Sequence, residues 1–121
     1  MATQIEMFAG DTKRIVVVVK DDTGAIVNLV GPSNIKFQMV EAPSGRPKYR
    51  TSPVVVKDIS SNSTGIDVSQ LISGIITVTL FPVDTRLLKG QYYYELEYTD
   101  EDGDVSTVVN GILSVKESII A

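Results

Sequence analysis

The sequence has no cysteine and no histidine among its 121 residues. The first absence excludes disulfides and thiolate nucleophiles. Together the two exclude every metal site that depends on imidazole or thiolate. A basic surplus is missing too. Eleven Lys and Arg against 15 Asp and Glu leave a formal net charge of −4, which argues against nucleic acid as a partner. No apolar run approaches the roughly 20 residues of a membrane-spanning helix. The opening MATQIEMFAGDTKR has no basic-then-apolar leader. The expectation is therefore a soluble chain made in the cytoplasm and without a membrane partner. Helical periodicity is nearly absent, so strands have to carry the fold. At this length one domain spans residues 1–121, burying about two-thirds of its unfolded surface without a covalent staple.

What is present is alternation and turn chemistry. Over residues 91–99, Tyr92, Tyr94, Leu96 and Tyr98 share one face while Tyr93, Glu95 and Glu97 take the other. Asp100-Glu101-Asp102-Gly103 supplies a tight reversal. The return strand, 105–115, then places Thr107, Val109, Gly111, Leu113 and Val115 inward. Ahead of this hairpin, Asp84 is expected to cap a helical turn over 85–89 that Gly90 ends. Residues 34–40 alternate Ile35, Phe37 and Met39 with Lys36 and Gln38, and residues 74–81 alternate Ile76, Val78 and Leu80 with Thr77 and Thr79. The run Ile15-Val16-Val17-Val18-Val19 is β-branched throughout, as in a strand apolar on both faces. Shorter strand signals fall at 3–8 and 54–57. Residues 66–72 read either as a bent strand or as a helical turn capped by Asp67 or Ser69. The segment EAPSGRPKYRTSP, 41–53, is a long loop. Seven to nine short strands with closely spaced turns predict an all-β fold, a single antiparallel β-sandwich. Its core is expected to join Tyr92, Tyr94, Leu96, Phe37, Ile76 and Val78.

The turn and corner residues carry a resemblance. The order is Gly10-Asp11-Thr12 before the Val-rich strand, then Asp22-Thr23-Gly24 and Val27-Asn28-Leu29 with Gly31. Gly74, residues 77–80, Pro82 with Asp84-Thr85, and Gly90-Gln91-Tyr92-Tyr93-Tyr94 follow. Thr99-Asp100 with Gly103, Thr107-Val108 and Gly111-Ile112-Leu113-Ser114-Val115 close it. This resembles the small immunoglobulin-like sandwich proteins of tailed-phage virions, including the N-terminal domain of upper-baseplate, receptor-binding-adaptor proteins. Those adaptors continue into further domains, whereas this sequence ends at Ala121. The resemblance implies an immunoglobulin-like fold, location in the virion after synthesis in the host bacterial cytoplasm, and other virion proteins as partners. In immunoglobulin-like folds a Tyr near the start of the sixth strand can hydrogen-bond back to the corner backbone, and Tyr92 is placed for that role.

Candidate chemistry is sparse. Glu95 and Glu97 stand two apart on one strand face, roughly 6.5–7 Å between Cα atoms, a separation that glycosidase carboxylates also use. Nothing nearby marks a cleft, and a solvated strand face is the plainer reading. Asp100, Asp102 and Asp104 around Gly103 echo a calcium loop but lack its twelve-residue ligand spread and closing Glu, so they read as a turn. Asn62-Ser63-Thr64 matches a glycosylation acceptor by chance in a chain without a leader. No catalytic group, cofactor or metal ligand is expected, and the chain is not expected to be an enzyme.

Two features point to protein contacts. Arg46, Lys48, Tyr49 and Arg50 cluster in the long loop, either as a solvated loop or as a docking loop for an acidic surface. Val16 and Val18 face away from Ile15, Val17 and Val19, and Val108 and Ile112 face away from the inward set of the last strand. These four are expected to form an outer apolar patch, which the tail Ser118-Ile119-Ile120-Ala121 extends. The resulting expectation is a non-enzymatic structural or assembly protein of a tail, baseplate or fibre adaptor, working as a homo-oligomer or symmetric assembly. The alternatives are a capsid decoration protein, or a glycan- or receptor-binding module using Tyr93, Glu95 and Glu97.

Overall fold

The computed structural model describes residues 2–43, 46, 52–59 and 65–119. Eight strands form among them: β1 (Ala2–Phe8), β2 (Lys13–Val18), β3 (Asn34–Glu41), β4 (Val55–Asp58), β5 (Ile66–Asp67), β6 (Ile75–Leu80), β7 (Gly90–Thr99) and β8 (Val105–Lys116). They build two sheets, a larger one in the order β1-β8-β7-β3-β4 and a smaller one in the order β2-β6-β5. Every neighbouring pair is antiparallel except β1, which runs parallel to β8. This is an immunoglobulin-like β-sandwich. β2, β6 and β5 take the B, E and D positions of such a fold, and β3, β7 and β8 take C, F and G. The A position, beside B in the smaller sheet, holds no strand among the described residues.

Alternation dictates the core. Phe37, Ile76, Val78, Tyr92, Tyr94 and Leu96 are all buried between the sheets, with Ile35, Met39, Leu80 and Leu113 beside them. Antibody domains join their sheets by a disulfide whose second cysteine lies two residues after the corner tyrosine. Tyr94 stands there instead, its ring 5.9 Å from that of Phe37. Tyr92 makes the expected corner. Its hydroxyl donates to the Lys89 carbonyl and accepts from the Lys89 N–H, both at 3.0 Å.

Three local expectations change. The helical turn, α1 (Pro82–Thr85), begins three residues before the expected start and is closed at Arg86, so Gly90 opens β7 instead of ending the turn. Proline suits a first helical turn, whose N–H needs no partner. Asp84 is thus inside the turn, and its Oδ2 accepts the Phe81 N–H at 2.7 Å. The ambiguous stretch at 66–72 divides into β5 and a 3₁₀ turn, Leu71–Ser73. Asp67 accepts the Ser69 N–H between them rather than capping the turn. The third change lies in β8. Leu96 pairs with Val109 but Glu97 pairs with Thr107, so Val108 is an extra residue in a β-bulge. Beyond the bulge the side-chain phase inverts. Thr107, expected inside, stands opposite Glu97 on the outer face, and Val108, expected outside, packs partly against the core.

The two ends of the sandwich are built differently. At the β4–β5 end, Lys57 points inward and is only 4% exposed. Its Nζ lies 2.9 Å from Asp84 Oδ2 and 5.1 Å from the Phe81 ring centroid. A β-carbon on Gly65 would sit 2.8 Å from the Thr79 carbonyl and 2.9 Å from Lys57 Cδ, so only glycine fits there. At the β1–β2 end, the Thr85 hydroxyl accepts the Gly10 N–H and ties the inter-strand link to the corner.

Candidate functional site

The β1–β2 end opens into a groove of about 500 Å³. Its floor is formed by Ile5 of β1, Tyr94 of β7, and Val108 and Val109 of β8, with Glu6 of β1 at its side. Its wall is β2, from Lys13 to Val18. The bulge shapes the floor by turning two consecutive valines toward the groove. Gly111, next on the inner row and opposite Tyr94, adds no side chain over the ring.

The wall is an unfinished sheet edge. The Val19 N–H donates to the Gly74 carbonyl at 2.8 Å, in the register that continues β2 against β6. In an antiparallel ladder bonded and non-bonded pairs alternate. Lys13, Ile15 and Val17 therefore bond to β6. The N–H and C=O of Arg14, Val16 and Val18 point to the side where no strand lies among the described residues. Thr79 supports this phase, since its N–H turns away from β2 to the Gly65 carbonyl at 2.6 Å. On the outer face the same strand presents Val16, 61% exposed, and Val18, 47% exposed, while Ile15 and Val17 are buried. The double-sided apolar run in the sequence thus has one face in the core and the other in solvent, and its edge meets no strand among the described residues.

The expected contact residues separate into three groups. Val16, Val18 and Val108 meet at the groove. Ile112 does not join them. It pairs with Tyr93 on the outer face of the larger sheet, across the sandwich from Val16 and Val18, so the four residues do not form one patch. Arg46 is exposed in the long loop, whereas Tyr49 and Arg50 lie outside the described residues. Asn62 and the end of the tail lie outside them as well, while Ile119 is fully exposed. Ile5, Tyr94 and Val109 escaped the sequence reading because their role depends on the bulge and on the path of β1. Val108-Val109, two adjacent apolar residues in an alternating strand, was the available signal.

The other candidates are satisfied locally. On the outer face of the larger sheet Lys36 pairs with Glu97 and Gln38 with Glu95 across the strands. Tyr93 donates to Glu95 Oε1 at 2.6 Å and accepts from Asn110 Nδ2 at 3.2 Å. The hollow between Lys36, Gln38, Glu95 and Glu97 holds about 60 Å³, too small for a sugar ring. In the acidic hairpin, Asp100 Oδ1 accepts the N–H groups of Asp102 and Asp104, and Gly103 adopts φ +89°, as the turn reading requires. Among the described residues no group of three or more Asp or Glu is placed to hold a metal ion. None of the described helices is long and apolar enough to cross a membrane.

The fold and the open edge define an immunoglobulin-like all-β sandwich with an incomplete smaller sheet. No family model matches the chain, and no curated protein matches it either. Among solved structures it is similar to CopC from Methylosinus trichosporium, with a TM-score of 0.52 and 13% identity over 96% of this chain and 86% of that one. It also aligns with Tim-1, at a TM-score of 0.46 and 12% identity over 100% of this chain and 97% of that one. A third match is AggA, the major subunit of aggregative adherence fimbriae type I from Escherichia coli, at 0.31 and 14% over 93% and 89%. At such identities the likeness to CopC speaks to the fold alone.

Proposed function

We propose that this chain is a non-enzymatic assembly protein of a tailed-phage particle, a tail, baseplate or fibre-adaptor component that acts through contacts with neighbouring proteins. The observation that carries the assembly role is the open β2 edge beside a groove floored by Ile5, Tyr94, Val108 and Val109. The phage setting rests on the resemblance of the turn and corner residues. A soluble protein normally blunts an exposed edge by proline, a bulge, an inward charge or brevity. β2 has six residues, no proline and no bulge; its charges, Lys13 on the inner row and Arg14 on the outer, stand only at its start, leaving Ile15–Val18 without such a device. Covering an exposed valine contributes about 1.5–3 kcal/mol before association costs, enough for a weak contact that particle symmetry multiplies by avidity.

The test is localisation in a cryo-EM map of the intact particle. Density for this sandwich at tail or baseplate, with β2 against a neighbouring chain, is the expected result. Density on the head would make it a capsid decoration protein. A chain absent from particles would end the virion reading. A second reading, a glycan- or receptor-binding module, draws on the Tyr93–Glu95–Asn110 cluster. Specific retention on a glycan array, lost in Tyr93→Ala, would favour it.

A further inference from the structure

We propose that the open edge of β2 pairs with the same edge of a second copy of this chain, antiparallel about a two-fold axis, so that two three-stranded sheets become one continuous sheet. This rests on the assembly reading above and specifies its first contact.

The backbone supplies the first argument. Arg14, Val16 and Val18 turn their N–H and C=O groups to the empty side, and an antiparallel copy offers the same set in return. A two-fold axis normal to the sheet places inward residues opposite inward ones and outward opposite outward. The axis therefore passes through a residue position, and side-chain chemistry chooses which. With Val17 on the axis, Val16 faces Val18 of the second copy twice over, and the four exposed valines cover one another. Ile15 then stands opposite Val19 on the inner row.

Charge supplies the second argument. The edge begins basic, at Lys13-Arg14, and beyond its end at Val18 the chain turns acidic, at Asp21 and Asp22 in the hairpin that the Lys20–Ile26 bridge closes. Antiparallel pairing lays each basic start against the other copy's acidic end. In the Val17 register Lys13 stands opposite Asp21, which favours it; Arg14 faces Lys20, a like-charge pair that opposes it and that Asp22 on the diagonal offsets. Asp21 is fixed in place by the Thr23 hydroxyl and the Thr23 and Ala25 N–H groups at 2.7–3.0 Å. Moving the axis to Val16 would oppose Asp11 to Asp21 and leave Val18 against Arg14. Moving it to Val18 would set Asp21 against Ile15. The neighbouring edge strand β1 is less suited, because it carries the Glu6–Lys116 ion pair, 3.4 Å, at its middle. With Val17 on the axis the two strands overlap directly over residues 16–18 and continue into the residues beyond Val18, so the contact is short and lies at or below the low end of specific interfaces. A reversible dimer follows, with a dissociation constant in the micromolar-to-millimolar range.

Because the chain has no cysteine, single introduced thiols report the register. Val16→Cys and Val18→Cys proteins, mixed and mildly oxidised, should yield mainly the mixed disulfide dimer. A random mixture of the three dimers, or none, would overturn the proposal. In parallel, sedimentation up to about 1 mM compares wild type with Val16→Pro. That variant removes an N–H facing the open side and leaves the β2–β6 ladder intact. The expected result is a wild-type monomer–dimer equilibrium that Val16→Pro weakens at least about tenfold. Equal dimerisation of both proteins would show that the chain assembles through another surface, sinking this contact while leaving the assembly reading. A wild type monomeric throughout would also sink it, and incorporation into particles would then decide the broader reading separately. If Val16→Pro fails to fold, the disulfide experiment decides alone, since both of its sites are exposed.

Discussion

The two ends of the sandwich solve the same problem in opposite ways. At the β4–β5 end the edge strands have four and two residues, and Lys57 points into the interior. A second chain docking there would find little edge, and Lys57 and Asp84 are already paired. At the β1–β2 end the edge is longer, β-branched and uncharged at its centre, and the groove beside it is floored by Ile5, Tyr94, Val108 and Val109. An inward charge is a recognised device against edge pairing. At the closed end that charge is buried and paired, whereas on β2 the inward-row Lys13 stands at the strand's start and leaves Ile15–Val18 uncharged, which separates a surface kept free from one left ready to pair. Substitutions at the closed end should therefore damage folding and spare association. Those at the open end should do the reverse.

The largest effect is expected for Asp84→Ala, which leaves the buried Lys57 ammonium without its carboxylate and should cost about 3–5 kcal/mol in denaturant unfolding. Lys57→Met removes the buried charge and should cost clearly less, since Asp84 keeps the Phe81 N–H. Equal losses would mean that the pair does not guard this end. Leu96→Ala, fully buried beside the bulge, should lose about 2–5 kcal/mol, and a loss below about 0.5 kcal/mol would contradict the inward phase of β7. Tyr92→Phe leaves the Lys89 backbone groups without the phenol and should cost about 1–3 kcal/mol.

A smaller effect comes with pH. Burial pushes the Tyr98 phenol above its ordinary value, and the nearby Asp100 and Glu101 carboxylates add to the shift. Its hydroxyl donates to the Leu29 carbonyl at 2.6 Å. The folded state holds this proton more tightly than the unfolded state, so the contribution is complete below about pH 10 and is lost as pH rises through the folded value. Phenolate absorbance should contain a late-titrating component that Tyr98→Phe diminishes. The smallest stability change is expected for the double variant Val16→Thr, Val18→Thr. It should stay within about 0.5 kcal/mol of wild type while dimerising more weakly.

Much of this architecture was legible in the sequence because period-two patterning maps directly onto sheet faces. Phe37, Ile76, Val78, Tyr92, Tyr94 and Leu96 were all readable as core, and Tyr92 marked the corner. The bulge was not legible. An extra residue shifts register without leaving a composition signal, and it moved Val108 inward and Thr107 outward. The separation of Ile112 from Val16 and Val18 was hidden for a related reason. Alternation says that a residue faces outward but not which of two sheets it belongs to. The Lys57–Asp84 pair joins residues 27 positions apart, on an edge strand and a corner, and neither carries a local pattern.

Residue-resolved amide exchange at low and high protein concentration addresses the open edge most directly. The N–H groups of Ile15 and Val17 bond to β6 and should be protected at every concentration. Those of Val16 and Val18 face the empty side and should exchange quickly when dilute, then gain protection as concentration rises. If Val16 and Val18 exchange at the same rate across the whole concentration range, the edge does not pair with a second copy.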